Sequence, residues 1–158
     1  MNSPLYRPAV VSDAAGIAQM HAEAIRGTYG GVYHPLVIQD WAGGHTTEKW
    51  EKLIQDPRHL FMVAELDGQI VGCCGLNIKD EDMGVYVHPR CHRLGIGRKL
   101  MQVQLDNARA RGIKTLHLSA VERTVPFYES LGFQALEPSQ HMFRSGHSVP
   151  VVNMRMAL

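Results

Sequence analysis

The chain has 158 residues, 45% of them apolar and 20% charged, an ordinary balance for one globular domain with a real core. Sixteen Lys and Arg against fifteen Asp and Glu leave a formal net charge of +1, which gives no support to nucleic-acid binding. No apolar run approaches the roughly 20 residues of a bilayer-spanning helix, and Met1 to Arg7 lacks the pattern of a secretion signal, so the expectation is a cytoplasmic protein that does not act at a membrane.

In chain order, Leu5 to Val10 reads as a first strand, and Ser12-Asp13 as a helix start, because a short polar side chain can satisfy free N–H groups there. Ile17, Met20 and Ala24 follow at helical spacing until Tyr29-Gly30-Gly31. Val32 to Gln55, with Tyr33, Pro35, Trp41, Trp50 and Leu53, reads as further short helices around Gly43-Gly44. Leu60 to Leu66 and Gln69 to Ile78 form a hairpin across Asp67-Gly68, two residues that tolerate positive φ. Lys79 to Asp82 is a charged turn, and Met83 to Val87 a strand stopped by Pro89.

A helix from about Ile96 to Arg111 carries the apolar stripe Leu100, Met101, Leu105 and Ala108 and stops at Gly112. Thr115 to Ser119 is a strand, Thr124 to Leu131 a short helix ended by Gly132, and Phe133 to Leu136 with Val149 to Met156 a closing strand pair. A strand–helix–strand unit in the centre demands a parallel pair, whereas the other connections suit antiparallel neighbours. The expected fold is therefore α/β: a mixed sheet, mostly antiparallel with one central parallel pair, helices on both faces, and a single domain over residues 1–158.

The cysteines are Cys73, Cys74 and Cys91. Adjacent residues in a strand point to opposite faces, so Cys73 and Cys74 are poorly placed to bridge, and no CxxC pair suggests zinc. The nine histidines lack metal-ligand spacing, so no metal is expected. His21, on the first helix, and His117, in a strand, are candidates for a substrate pocket or for plain core and surface positions.

The stretch Val85 to Leu100 carries the most chemistry: strand, loop, then the long helix. Gly95 and Gly97 let backbone approach a ligand, and the helix N-terminus presents unpaired N–H groups with partial positive charge. Such a site binds phosphate, and Arg90, Arg93, Arg98 and Lys99 add positive charge. It is not a Walker loop, since no GK[ST] follows, and it lacks the third glycine and early position of a dinucleotide fingerprint.

His92-Arg93-Leu94-Gly95-Ile96-Gly97, behind Val87-His88-Pro89, resembles motif A of the GNAT superfamily of acetyl-CoA-dependent N-acetyltransferases, Q/R-x-x-G-x-G/A, with His92 in the Gln/Arg position. Pro126 to Phe133 is similar to that family's motif B, an FYxxxGF core, with Arg123 and Thr124 where Asn and Ala often stand. The element order fits the family over nearly the whole chain.

The resemblance implies a GNAT-like fold, acetyl-CoA as co-substrate, no metal, and direct transfer of acetyl to a small-molecule or peptide amine. It implies that the backbone of Val85, Tyr86 and Val87 pairs with pantetheine like an added strand, with a Val87 N–H facing the acyl oxygen. His92, Arg93, Leu94, Gly95, Ile96, Gly97 and Arg98 surround the pyrophosphate, and Arg123 stands at the pantetheine position. Tyr128 is the expected acid beside the sulfur. For the base, Asp82 matches a position where relatives carry Glu; Glu81 and a water chain are the alternatives. A homodimer through the closing strands is compatible with the family. The rival reading is a non-catalytic acyl-CoA-binding or sensor module, which would keep the glycine loop and lose the acid.

Overall fold

The computed structural model describes residues 2–158. Strand β1 (Leu5–Pro8) leads into α1 (Ala14–Tyr29) through one tight helical turn over Val11–Asp13. Asp13 directs this entry: its carboxylate accepts the Val10 N–H at 2.8 Å and pairs with Arg7 at 2.7 Å. Helices α2 (Pro35–Gly43) and α3 (Thr47–Gln55) follow, the latter capped by the Thr46 hydroxyl, which accepts the Lys49 N–H at 3.2 Å.

Strands β2 (His59–Leu66) and β3 (Gln69–Asn77) join at Asp67 and Gly68, with φ of 51° and 77°, the left-handed pair the dipeptide predicts. Then come β4 (Asp82–Val87), α4 (Ile96–Ala110), β5 (Thr115–Val121), α5 (Val125–Leu131), β6 (Gln134–Met142) and β7 (Ser148–Ala157). The sheet order is β1-β2-β3-β4-β5-β7-β6, antiparallel everywhere except β4–β5.

One face of the sheet is covered by α4, whose Ile96, Leu100, Met101, Leu105 and Ala108 are at most 4% exposed. Burying each of the larger side chains contributes about 1.5–3 kcal/mol. Gln104 sits in this stripe with no exposure, because its amide donates to the Leu60 carbonyl at 2.8 Å and the Cys74 carbonyl at 2.7 Å. Helix α1 and Trp50 of α3 cover the other face through Ile17, Met20 and Ala24. The adjacent cysteines divide as the pleat requires: Cys73 packs under α1, and the Cys74 thiol lies 3.7 Å from the Met101 sulfur beneath α4. Burial pushes the Cys73 thiol up to about 12 and raises Cys74 well above its ordinary value, so neither is a nucleophile.

Two boundaries differ from the sequence reading. Asp82 is the first residue of β4, paired with Asn77, rather than the last of the turn; Glu81 before it absorbs the bend at φ 56°. Strand β6 runs on to Met142, well past Leu136, because the hairpin with β7 carries it across Pro138 by a bulge between Ala135 and Pro138.

Candidate functional site

The parallel strands β4 and β5 pair at a single position, Asp82 opposite His117, where the His117 N–H bonds the Glu81 carbonyl at 2.9 Å. Beyond it they part. The His88 N–H bonds the Val71 carbonyl at 2.8 Å, so the even residues of β4 pair with β3. By the two-residue alternation, Val85 and Val87 turn their N–H and C=O groups into the gap. Two contacts agree: His92 Nε2 lies 3.0 Å from the Val87 carbonyl, and the Val85 backbone lies near enough to the Tyr128 phenol to lower its pKa slightly.

A cavity of about 480 Å³ opens on one side of this gap. Val85, Tyr86 and Val87 form its floor, and His92, Arg93, Gly95, Ile96, Gly97 and Arg98 one wall. Arg123, Phe127 and Tyr128 form the opposite wall, and α1 closes the end with Ala24, Thr28 and Tyr29. Its charges are arginines; among the described lining residues none is Asp or Glu.

Gly95 caps α4 at φ 80°, with no capping side chain, and the first N–H to bond back is that of Lys99, 3.0 Å from the Gly95 carbonyl. The amides of Ile96, Gly97 and Arg98 therefore have no carbonyl partner within the helix. Arg93 at φ 64° curls the loop ahead of them, the backbone concavity that holds anions. Arg98 bonds the Ser130 hydroxyl at 2.6 Å, which ties α4 to α5, and Arg123 bonds the Thr28 carbonyl at 3.1 Å. The arrangement fits a diphosphate at the helix start and an extended chain along β4.

Tyr128 is 8% exposed, edge-on to Phe127 at 5.2 Å and to Phe133 at 5.9 Å. Burial drives its pKa up, with smaller contributions from Tyr86, Cys74 and Tyr29, so the phenol keeps its proton at neutral pH. Leu94 points away, 53% exposed and outside the lining.

A second cavity, about 660 Å³, lies across the gap. Asp82, Gly84 and Tyr86 of β4, His117 and Ser119 of β5, and Trp41 of α2 line it, together with Glu137, His141, Phe143 and Asn153 of the β6–β7 hairpin. Tyr86 lines both cavities, and the Trp41 indole N–H bonds its hydroxyl at 3.4 Å. Asp82 stands on this second side, its pKa raised by burial and by Asp80. Glu81 lines neither cavity.

Of the two histidines considered from sequence, His117 lines the second cavity and His21 does not. His21 lies behind Tyr86, ring centroids 4.5 Å apart, 3% exposed, with Nδ1 unpartnered and a pKa lowered to about 4 by burial and by His45. The α1 residues of the first cavity and the hairpin residues of the second were not anticipated. They meet the site only through tertiary packing, and no local motif marks them.

A fold with a splayed parallel pair, a glycine-capped helix at one side and an open cavity at the other is that of an acetyltransferase. The family model described as "Acetyltransferase (GNAT) domain" matches residues 57–135, and the chain belongs to the GNAT acetyltransferase family. Among solved structures, a GCN5-related N-acetyltransferase from Rhodopseudomonas palustris superposes with a TM-score of 0.88 at 24% identity, covering 100% of this chain and 98% of that one. The PaiA N-acetyltransferase of Thermoplasma acidophilum, solved with coenzyme A, gives 0.81 at 20% identity, covering 99% of this chain and 100% of that one. The YncA protein of Salmonella typhimurium, described as a putative acetyltransferase and solved with acetyl-CoA, gives 0.77 at 20% identity over 99% of this chain and 95% of that one.

Among curated proteins, a mycothiol acetyltransferase of Thermomonospora curvata is 36% identical over 85 residues, 49% of this chain and 28% of the relative. Serotonin N-acetyltransferase 2 of Oryza sativa is 41% identical over 54 residues, 34% of this chain and 26% of the relative. The match thus spans about a quarter of each of these two relatives. No helix among the described residues is long and apolar enough to cross a membrane.

Proposed function

We propose that this chain is an N-acetyltransferase that moves acetyl from acetyl-CoA to a primary amine by direct transfer, with both substrates bound across the β4–β5 gap. One observation carries the reading: the gap-facing backbone of Val85 and Val87 and the protonated Tyr128 phenol meet between an arginine-lined cavity and a carboxylate-bearing one. Structural relatives solved with coenzyme A and with acetyl-CoA support the choice of co-substrate.

Acetyl-CoA supplies an activated acyl group as a thioester. The amides of Ile96, Gly97 and Arg98 hold its diphosphate, helped by Arg93. Tyr86 and Arg123 flank the pantetheine arm, which follows Val85 and Val87 as an added strand does. His92 does not replace a phosphate-binding Gln or Arg in this scheme; it braces the loop against Val87. The Val87 N–H, fixed in the strand, donates to the acyl oxygen as negative charge develops there. The amine nitrogen forms its bond to the acyl carbon as the carbon–sulfur bond breaks. Tyr128 gives its proton to the departing sulfur, and the proton lost by the amine passes along a water chain toward Asp82, five residues back from Val87 along β4. Burial raises the Asp82 pKa, which makes it a better base, and its place in the second cavity favours it over Glu81.

Binding of acetyl-CoA should raise the melting temperature by mass action on the folded state. Gly97→Asp is the test. A Cβ there meets Phe127 and Val87 at 3.5 Å, ordinary contact, so the fold holds while a carboxylate enters the anion site. Loss of the shift is the expected result. An unchanged shift in the folded variant would overturn the assignment of this loop.

A further inference from the structure

The second cavity has a charge pattern that the transfer reaction alone does not require. Among its described lining residues are two carboxylates, Asp82 and Glu137, and no Lys or Arg. The first cavity is the reverse, with three arginines and no carboxylate. Asp82 lies at the closed end of the gap, where β4 and β5 pair. Glu137 lies on β6, three strands away in the order β4-β5-β7-β6, roughly 14 Å of backbone at about 4.8 Å per strand.

Glu137 is also a built position. In a regular strand, neighbours face opposite ways, yet Leu136 and Glu137 both line this cavity. They sit at the bulge between Ala135 and Pro138, which leaves exposed Glu137 at the rim of the cavity. One carboxylate oxygen then accepts from Asn153 Nδ2 at 2.9 Å, and the Ser119 hydroxyl bonds Asn153 Oδ1 at 2.9 Å. This Ser119–Asn153–Glu137 chain crosses β5, β7 and β6 and holds the Glu137 carboxylate at the edge of the cavity. Trp41 and Phe143 add aromatic rings to the lining, of the kind to which a cation is attracted.

Building on the acetyl-transfer reading, we propose that the acceptor is a diamine or polyamine, with one amine at the gap and a distal ammonium held by Glu137. An amino-acid acceptor would place its carboxylate against Glu137 with no cation to meet it. A simple alkylamine would leave Glu137 without its counter-charge.

The experiment compares acceptors of equal length that differ at the far end: cadaverine, pentylamine and aminovalerate, then diaminooctane, octylamine and aminooctanoate. Specificity constants come from thiol release with acetyl-CoA. Binding comes from calorimetry on the protein saturated with coenzyme A, where no turnover occurs. Glu137 is solvent-accessible, so each charge contact contributes about 5-fold, the upper range for an exposed ion pair. After allowance for its two reactive ends, a diamine should exceed the alkylamine about 5-fold and the amino acid about 25-fold, by rate and by affinity. Glu137→Gln keeps an acceptor for Asn153 and removes the charge. It should cut the diamine advantage over the alkylamine to less than about twofold.

Equal affinity and rate for diamine and amino acid, or an advantage that survives Glu137→Gln, would overturn the proposal. Selective diamine binding with no thiol released from any amine would instead overturn the acetyl-transfer reading and leave the cation site standing.

Discussion

Replacement of Tyr128 by Phe removes one oxygen from a ring held between Phe127 and Phe133. The ring packing survives, because no apolar atom is lost. What is lost is the phenol oxygen that the Val85 backbone group faces. An unpaired buried backbone group costs about 1–3 kcal/mol. For a chain of this length each kcal/mol lowers Tm by about 2–4 °C, so a fall between about 2 and 12 °C is expected. The kinetic effect should be larger: kcat falling about 10- to 1,000-fold, at or somewhat below the usual range for general acids, since a thiolate is already a fair leaving group. The KM for acetyl-CoA should hardly move, because the lost interaction belongs to the transition state. Burial keeps the phenol protonated, so the fold-loss should be flat between about pH 6 and 9. Steady-state thiol release and melting curves on one preparation measure all three quantities. A folded variant with wild-type kcat would remove Tyr128 from the mechanism and leave solvent to protonate the sulfur.

Asp82→Asn should depress turnover most at lower pH, where the amine arrives protonated, while acetyl-CoA binding measured by thermal shift stays intact; a change within about twofold across the range, about 0.4 kcal/mol, would make Asp82 a structural residue only. Gly95→Ala places a Cβ in open space at φ 80°, so its cost is conformational, about 1–2 kcal/mol, and thermal melting should show that loss with weaker acetyl-CoA binding. His21→Leu should flatten the acid side of the stability profile. His21 has a folded pKa of about 4 against about 6.5 unfolded, so the unfolded chain takes up the proton first. Stability is thus whole above about pH 6.5 and falls as pH drops toward 4, by about 3 kcal/mol at about 1.4 kcal/mol per tenfold step, and denaturant midpoints over pH measure it.

The first cavity was largely legible in the sequence. The residues from Val85 to Gly97 are contiguous, and glycine placement, strand period and helix stripe state their geometry locally. Phe127-Tyr128 is likewise local to its motif. The Asp67-Gly68 turn and the opposite faces of Cys73 and Cys74 follow from backbone geometry alone. The second cavity was not legible. Trp41 lies in the stretch that reads as short helices, but its partners Phe143 and His141 are about a hundred residues on. They arrive only because β6 passes Pro138 through a bulge, where the sequence reads as a loop. Glu137 shows the same limit: its sequence neighbours say nothing of Asn153, which the β6–β7 hairpin brings to it.

The central claim is that acetyl passes from acetyl-CoA to an amine across the β4–β5 gap. The most direct test incubates the protein with acetyl-CoA and a diamine, quantifies free thiol, and determines the amine product by mass spectrometry. The account predicts one thiol released for each acetylated amine formed, with both signals lost together in Gly97→Asp. Thiol release without acetylated product, or acetylated product undiminished in folded Gly97→Asp, would contradict it.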